Sequence, residues 1–232
     1  MVRRQRRLWP AVALAAIGAL ALPSAASAEI IEIGDLGTDV TPSCPSMPCL
    51  AVNRTTGYQA KVGTRRGLMK VPRNGRIVAW TIRLAKPGSR QIQFFNQQQG
   101  GESTAQLTIL RTGTRLRARA VAQGEPQKLE PYFGTTVQFA LERSIPVRKD
   151  QVIALTVPTW APALAVNLGG DTSWRAARAR GSCDDNRTPT SQMQANQLAQ
   201  YYCLYRTARL TYSATLVTDP TRPRTTTKRT RR

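Results

Sequence analysis

The side chains of this chain that could do chemistry are carboxylates, cysteines and cations, because its 232 residues include no histidine. That absence removes Ser-His-Asp and Cys-His nucleophile pairs, histidine-bearing zinc hydrolase sites and any imidazole base. Carboxylate chemistry remains, as in glycoside hydrolysis, which needs two acids held across one bond. Glu102, Glu125, Glu130, Glu142, Asp150, Asp171, Asp184 and Asp185 are available, most of them in turn-like or polar stretches. Asp184 and Asp185 are the one close pair, but neighbours on an extended backbone point apart. A carboxylate-dependent enzyme acting on polysaccharide is therefore the second reading, behind a non-enzymatic one. Asp184, Asp185 and Asn186, with Asp171, also offer oxygens to a calcium ion. Calcium takes about six to eight of them, and no spaced acidic loop is present. The reading is a polar turn after Cys183, and no metal or cofactor is expected.

Cys44, Cys49, Cys183 and Cys203 are the four cysteines. An even number in an exported chain reads as two disulfides. Pairing Cys44 with Cys49 and Cys183 with Cys203 is favoured, because each bridge then staples one local loop. A four-cysteine zinc site competes, but the spacings lack the paired two-residue knuckles that such sites use.

Binding is the more natural use of the remaining residues. Trp160, Trp174, Tyr201 and Tyr202 lie in or beside an irregular stretch, residues 158–200. Exposed aromatics there could stack on sugar rings, with Asp171, Asn167 and Gln197 bonding hydroxyls. The competing reading is that these rings fill the core. The chain is also strongly basic, with a formal net charge of +21. Arg115, Arg117 and Arg119, with Arg111, offer a surface for an anionic or polysaccharide component of the cell envelope. The alternative is a solvated sheet face or a charged edge that discourages aggregation. The end of the chain, with Arg229, Arg231 and Arg232, reads as a basic interaction arm. Specific nucleic-acid binding is not expected, since export removes the usual target and no nucleic-acid module is recognisable.

The elements that must position these residues begin after a targeting segment. Arg3, Arg4, Arg6 and Arg7 precede an apolar run from Leu8 to Leu22, and Ala26-Ser27-Ala28 offers a small-x-small cleavage site. Residues 1–28 read as a cleaved secretory signal, since the run is shorter than the ~20 residues that span a bilayer. The mature chain is expected to be secreted or held at the cell surface, with no transmembrane segment. The export route stays open, because the paired arginines also admit a twin-arginine signal.

Residues 29–49 read as an N-terminal arm pinned by its own disulfide, and residues 50–218 as one β-sandwich domain. Its organising strand is Gly75 to Ala85, where alternation places Val78, Trp80, Ile82 and Leu84 on one face. Gln91–Phe95 reads as a further strand, followed by a polar loop over residues 96–101. Ala105–Leu110 and Arg115–Val121 flank Thr112-Gly113-Thr114 as a hairpin. Strands also fit Thr135–Leu141 and Gln151–Val157, and Thr190–Gln200 fits a short capped helix. A clean period of two over Thr207–Leu216 marks a half-buried closing strand. Residues 219–232 have nothing apolar to bury and read as a disordered basic tail. Short strands, frequent turns and little helical periodicity together predict an all-β fold. The expected architecture is an antiparallel β-sandwich with jelly-roll or Greek-key-like topology.

Three runs carry a resemblance: Gly75-Arg-Ile-Val-Ala-Trp80, Ala105-Gln-Leu-Thr-Ile-Leu-Arg111, and Ile145 through Leu155. They resemble successive core strands of secreted β-sandwich proteins of high-GC actinobacteria, over about residues 57 to 157 and as far as about 217. The resemblance implies the fold and export, and it supplies neither an activity nor a catalytic residue. The functional expectation is an exported binding or surface-associated structural module, with cell-wall or extracellular polysaccharide as its partner.

Overall fold

A computed structural model of the chain describes residues 27–37, 40–185, 188 and 194–220. The expected signal segment and the basic tail, including Arg229, Arg231 and Arg232, lie outside the described residues, apart from residues 27–28 and 219–220. Ala28–Pro220 forms one unit. Its elements are β1 (Ile30–Gly34), β2 (Val52–Val62), β3 (Arg65–Arg66), β4 (Gly75–Arg83), α1 (Ser89–Gln98), β5 (Thr104–Thr112), β6 (Arg117–Gln123) and β7 (Gln127–Lys128). They continue with β8 (Thr136–Val147), β9 (Val152–Ala161), β10 (Leu164–Ala165), β11 (Ser173–Ala176), β12 (Leu198–Gln200), β13 (Cys203–Arg206), β14 (Arg209–Leu210) and β15 (Tyr212–Thr218). A four-stranded sheet runs β1-β15-β4-β8, and a larger one runs β12-β6-β5-β9-β2-β11-β13. Every pairing is antiparallel, as the turn-rich sequence predicts.

The two sheets share one apolar core, to which β4 contributes Ile77, Trp80 and Ile82 and the larger sheet Leu107, Ile109, Ile153 and Leu155. Tyr212 bridges them, donating its buried hydroxyl to the carbonyl of Ile153 at 3.0 Å. Strict alternation along β4 fails at one residue. Ile77 is opposite Leu216 and Ala79 opposite Thr215, so Val78 is the extra residue of a bulge. The bulge shifts the phase, and Ile77 rather than Val78 joins Trp80, Ile82 and Leu84 in the core.

The larger sheet curls back on itself. β12 and β13 are its two ends, yet only Tyr201 and Tyr202 separate them in the chain. Three peptide steps reach at most about 11 Å, so the ends of the sheet meet. The face enclosed by this curl is threaded by hydroxyls. Thr56 and Thr156 lie 2.7 Å apart, Thr156 and Thr108 2.6 Å, and Gln123 donates to Thr108 at 3.0 Å. Tyr201 packs against Tyr58 across the closure, with ring centroids 5.2 Å apart. Disulfides join Cys44 to Cys49 and Cys183 to Cys203, the favoured pairing.

Four expectations about elements are corrected. The closing strand expected over Thr207–Leu216 is broken at Thr211, since Arg209–Leu210 is β14, paired with β10 in a separate two-stranded sheet, and Tyr212–Thr218 is β15. The arm before Cys44 begins as a strand, because Ile30-Ile31-Glu32-Ile33 finds an unpaired edge on β15. Gln91–Phe95 lies inside helix α1, whose first turn is closed by the Gln91 side chain accepting from the Gly88 amide at 2.8 Å. Leu198–Gln200, assigned to a helix, is β12 paired with β6, while residues 189–193 lie outside the described residues.

Candidate functional site

Helix α1 and the Cys44–Cys49 loop face each other across a groove of about 510 Å³. The helix is seated by Phe95, which stacks on Trp160 with centroids 4.7 Å apart. A polar chain locks that seat. Trp160 Nε1 donates to Asn96 Oδ1 at 2.7 Å, and Asn96 Nδ2 donates to Glu130 Oε1 at 3.0 Å. Gln91 Nε2 ties the helix to the loop through the carbonyl of Pro45 at 3.0 Å. The loop is closed by its disulfide and by Ser43, whose hydroxyl lies 2.9 Å from both the amide and the carbonyl of Leu50. The one-residue offset between Phe94 and Phe95 is a 100° turn of the helix. It leaves Phe94 57% exposed in the groove, beside exposed Met47 and Leu50. Arg90, Gln98 and Asn53 supply polar groups at the same groove. Buried Gln99 borders it too, and its Oε1 has no hydrogen-bond partner among the described residues.

A second cavity of about 260 Å³ adjoins the first, since Ala51 and Asn53 border both. Trp174, Arg178, Asp184 and Tyr205 line it. Trp174 stacks on Tyr205 with centroids 4.6 Å apart, and Tyr205 donates its hydroxyl to the carbonyl of Cys183 at 2.5 Å. Burial pushes the Tyr205 hydroxyl pKa up, the Arg178 cation opposes that shift, and the Asp184 charge adds to it. The second disulfide thus fixes the wall that carries Tyr205.

These geometries correct most of the residues singled out by sequence. Trp160 is fully buried, and its ring serves as the seat of α1, so it has no face to offer a sugar. Tyr201 is buried at the closure of the curled sheet. Trp174 is buried as well, but it borders the second cavity. Tyr202 is exposed, with the Arg180 guanidinium 5.7 Å from its ring centroid. Asp171 is exposed beside Gly63 and Gly169, at the end of β11 opposite Tyr202. Phe94, Met47, Leu50 and Gln99 were missed, because the groove exists only once residues 89–98 are helical.

The arginine stripe is likewise divided. Arg115 lies in the turn at φ 53°, while Arg117 and Arg119 are in β6. That strand is no edge, since β12 covers it, and Arg119 donates to the carbonyl of Asn196 at 2.5 Å. Arg111, opposite Arg119, borders another cavity with Arg148 and Lys149. Glu102 is paired with Lys128 at 2.7 Å, and Asp150, Asp184 and Asp219 border three different cavities. Among the described residues, no group of three acids or cysteines is placed to hold a metal ion. No helix of the described residues is long and apolar enough to cross a membrane. No protein-family model matches this chain, and neither a curated protein nor a solved structure matches it.

Proposed function

We propose that the protein is an exported, non-enzymatic binding module that holds a saccharide chain of the cell envelope or its surroundings in the groove beside α1. The observation that carries this reading is Phe94, an exposed aromatic ring in a groove of about 510 Å³ fringed by side-chain amides and a guanidinium. Sugar rings present C–H faces to aromatics and hydroxyls to amides, so the groove offers both contacts that such a ligand needs. Disulfides suit an oxidising exterior, which supports export along with the basic leader and the resemblance to secreted actinobacterial proteins. Glu102 and Glu130, two acids that share Lys128 as a neighbour, are engaged by that lysine and by Asn96 with the Ser103 amide. This supports binding over turnover, because glycoside hydrolysis requires two carboxylates facing one bond. The test is retention of the mature chain on isolated cell walls, cellulose and chitin. Phe94→Ala should abolish retention while changing stability by no more than about 0.5 kcal/mol, as for an exposed side chain. Unchanged retention, or polysaccharide turnover lost on mutating one acid, overturns the reading.

A further inference from the structure

The second cavity deepens the saccharide reading, and the inference about its ligand rests on that reading. Its lining brings a buried cation together with polar atoms that have no partner among the described residues. Arg178 is 6% exposed. Its guanidinium donates to the carbonyls of Asn53 at 3.2 Å and Thr188 at 3.3 Å, and no described acid lies within ion-pair reach. Trp174 Nε1, which can only donate, and Thr55 Oγ1 are buried without a hydrogen-bond partner among the described residues, and both residues border this cavity. Trp80 Nε1 is also unpaired, but Trp80 belongs to the core between the sheets. The distinction is that Trp174, Thr55 and Arg178 surround one space. A buried cation and unpaired donors favour a ligand that accepts hydrogen bonds and carries negative charge.

We propose that this cavity takes an oxyanion, the carboxylate or sulfate of an acidic saccharide whose ring lies against Phe94 in the adjoining groove. Ala51 and Asn53 border both cavities, so a ring and its charged substituent can occupy them together. A guanidinium presents its N–H groups as a planar fork that suits two oxygens of one anion. Asp184, exposed on the same lining, opposes an anion and weakens its binding.

The experiment titrates the mature chain with oligogalacturonate, sulfated dextran oligosaccharides and neutral dextran oligosaccharides in about 0.5 M salt, where unspecific attraction is screened. It records affinity and the indole N–H resonances of Trp174, Trp80 and Trp160. An acidic chain should bind about tenfold tighter than the neutral one and shift the Trp174 resonance, as expected for charge-assisted hydrogen bonds. The carboxylate and sulfate arms identify which oxyanion is preferred. Thr55→Val should weaken acidic binding roughly threefold without lowering the melting temperature, since it removes an unpaired hydroxyl at constant shape. Asp184→Asn should strengthen it, since it removes the charge that opposes an anion there. Equal binding of acidic and neutral chains with Trp174 unmoved overturns the oxyanion and leaves the saccharide groove standing. Weaker acidic binding by Asp184→Asn also overturns it, pointing to a cation. If no oligosaccharide binds, the saccharide reading fails. Free galacturonate or sulfate shifting the Trp174 resonance then supports the oxyanion cavity alone, and no shift overturns that as well.

Discussion

Trp160 and Phe94 exchange the roles that residue type alone suggests. The indole, lying in an irregular stretch, is the buried platform on which α1 sits, and the phenylalanine is the ring left in the groove. Trp160→Ala should therefore cost about 3–5 kcal/mol of folding free energy in denaturant titration, as for a large aromatic removed from a core. A loss near zero would mean that α1 is not seated on this ring. The buried tyrosines set a limit at high pH. Burial raises the pKa of Tyr201 and Tyr212 well above that of a free phenol, with the neighbouring Tyr58 adding to the shift. The folded state thus keeps protons that the unfolded chain releases above about pH 10. Their contribution is fully present below pH 10, and stability falls as pH rises beyond it, by about 1.4 kcal/mol per pH unit for each phenol. A chain with Tyr201→Phe and Tyr212→Phe should show a shallower alkaline decline between about pH 10 and 11.5, read as the slope of melting free energy with pH. An unchanged slope would place the alkaline titration elsewhere. Of the residues at the two cavities, Trp174 was legible because it is an aromatic near turns. Thr55 and Gln99 were not, since their significance is the absence of a partner, a property of three-dimensional packing.

At the level of elements, long alternating strands were readable because burial on one face imposes a period of two. Tyr212, Ala214 and Leu216 of β15 are buried as that period predicts, but Thr211 and Ser213 on the other face are buried as well, because β1 and β4 flank this strand on both sides. Alternation failed where one inserted residue reverses the faces, as Val78 does in β4, since a bulge leaves no mark in residue type. It also failed at α1. Gln-Ile-Gln-Phe-Phe alternates over its first four residues, and only the buried Trp160 face, which is distant in sequence, decides that Phe95 rather than Phe94 turns inward. The strand nature of β1 was hidden because its isoleucines precede a loop-like run and pair with the far end of the chain. The disulfide loop opposite α1 yields a prediction of its own. Cys44 and Cys49 are 5 residues apart, and Met47, Cys49 and Leu50 make one wall of the groove. Replacing both cysteines by serine should cost about 2 kcal/mol, the chain-entropy cost of releasing so short a loop. It should also weaken saccharide retention severalfold, because the wall opposite Phe94 loses its closure. Retention that survives in the serine variant would show that α1 alone holds the ligand.

For the whole molecule, first and last strands are neighbours. β1 pairs with β15, the Thr218 amide donates to the carbonyl of Glu29 at 2.9 Å, and the unit ends at Pro220. A chain ending at Pro220 should therefore melt at the same temperature as the full mature chain, and what it loses is charge. The formal net charge is +21, and four arginines of residues 1–28 leave with the signal if it is cleaved. Arg111, Arg148 and Lys149 border one cavity on the folded unit against the single carboxylate of Asp150, so the body keeps a net cationic patch of its own. Attraction to an anionic wall polymer by exposed charges is screened over about 8 Å at physiological salt and about 3 Å at 1 M. Two contributions to retention on cell walls should then separate in a salt series. The contribution of residues 221–232 should vanish by about 1 M salt, whereas contacts at Phe94 should persist, since stacking on an apolar ring is not screened. The shortened chain should therefore lose affinity at low salt and match the full chain at high salt. If it fails to bind at every salt concentration, charge alone holds the protein at the surface, and the groove beside α1 has no part in retention.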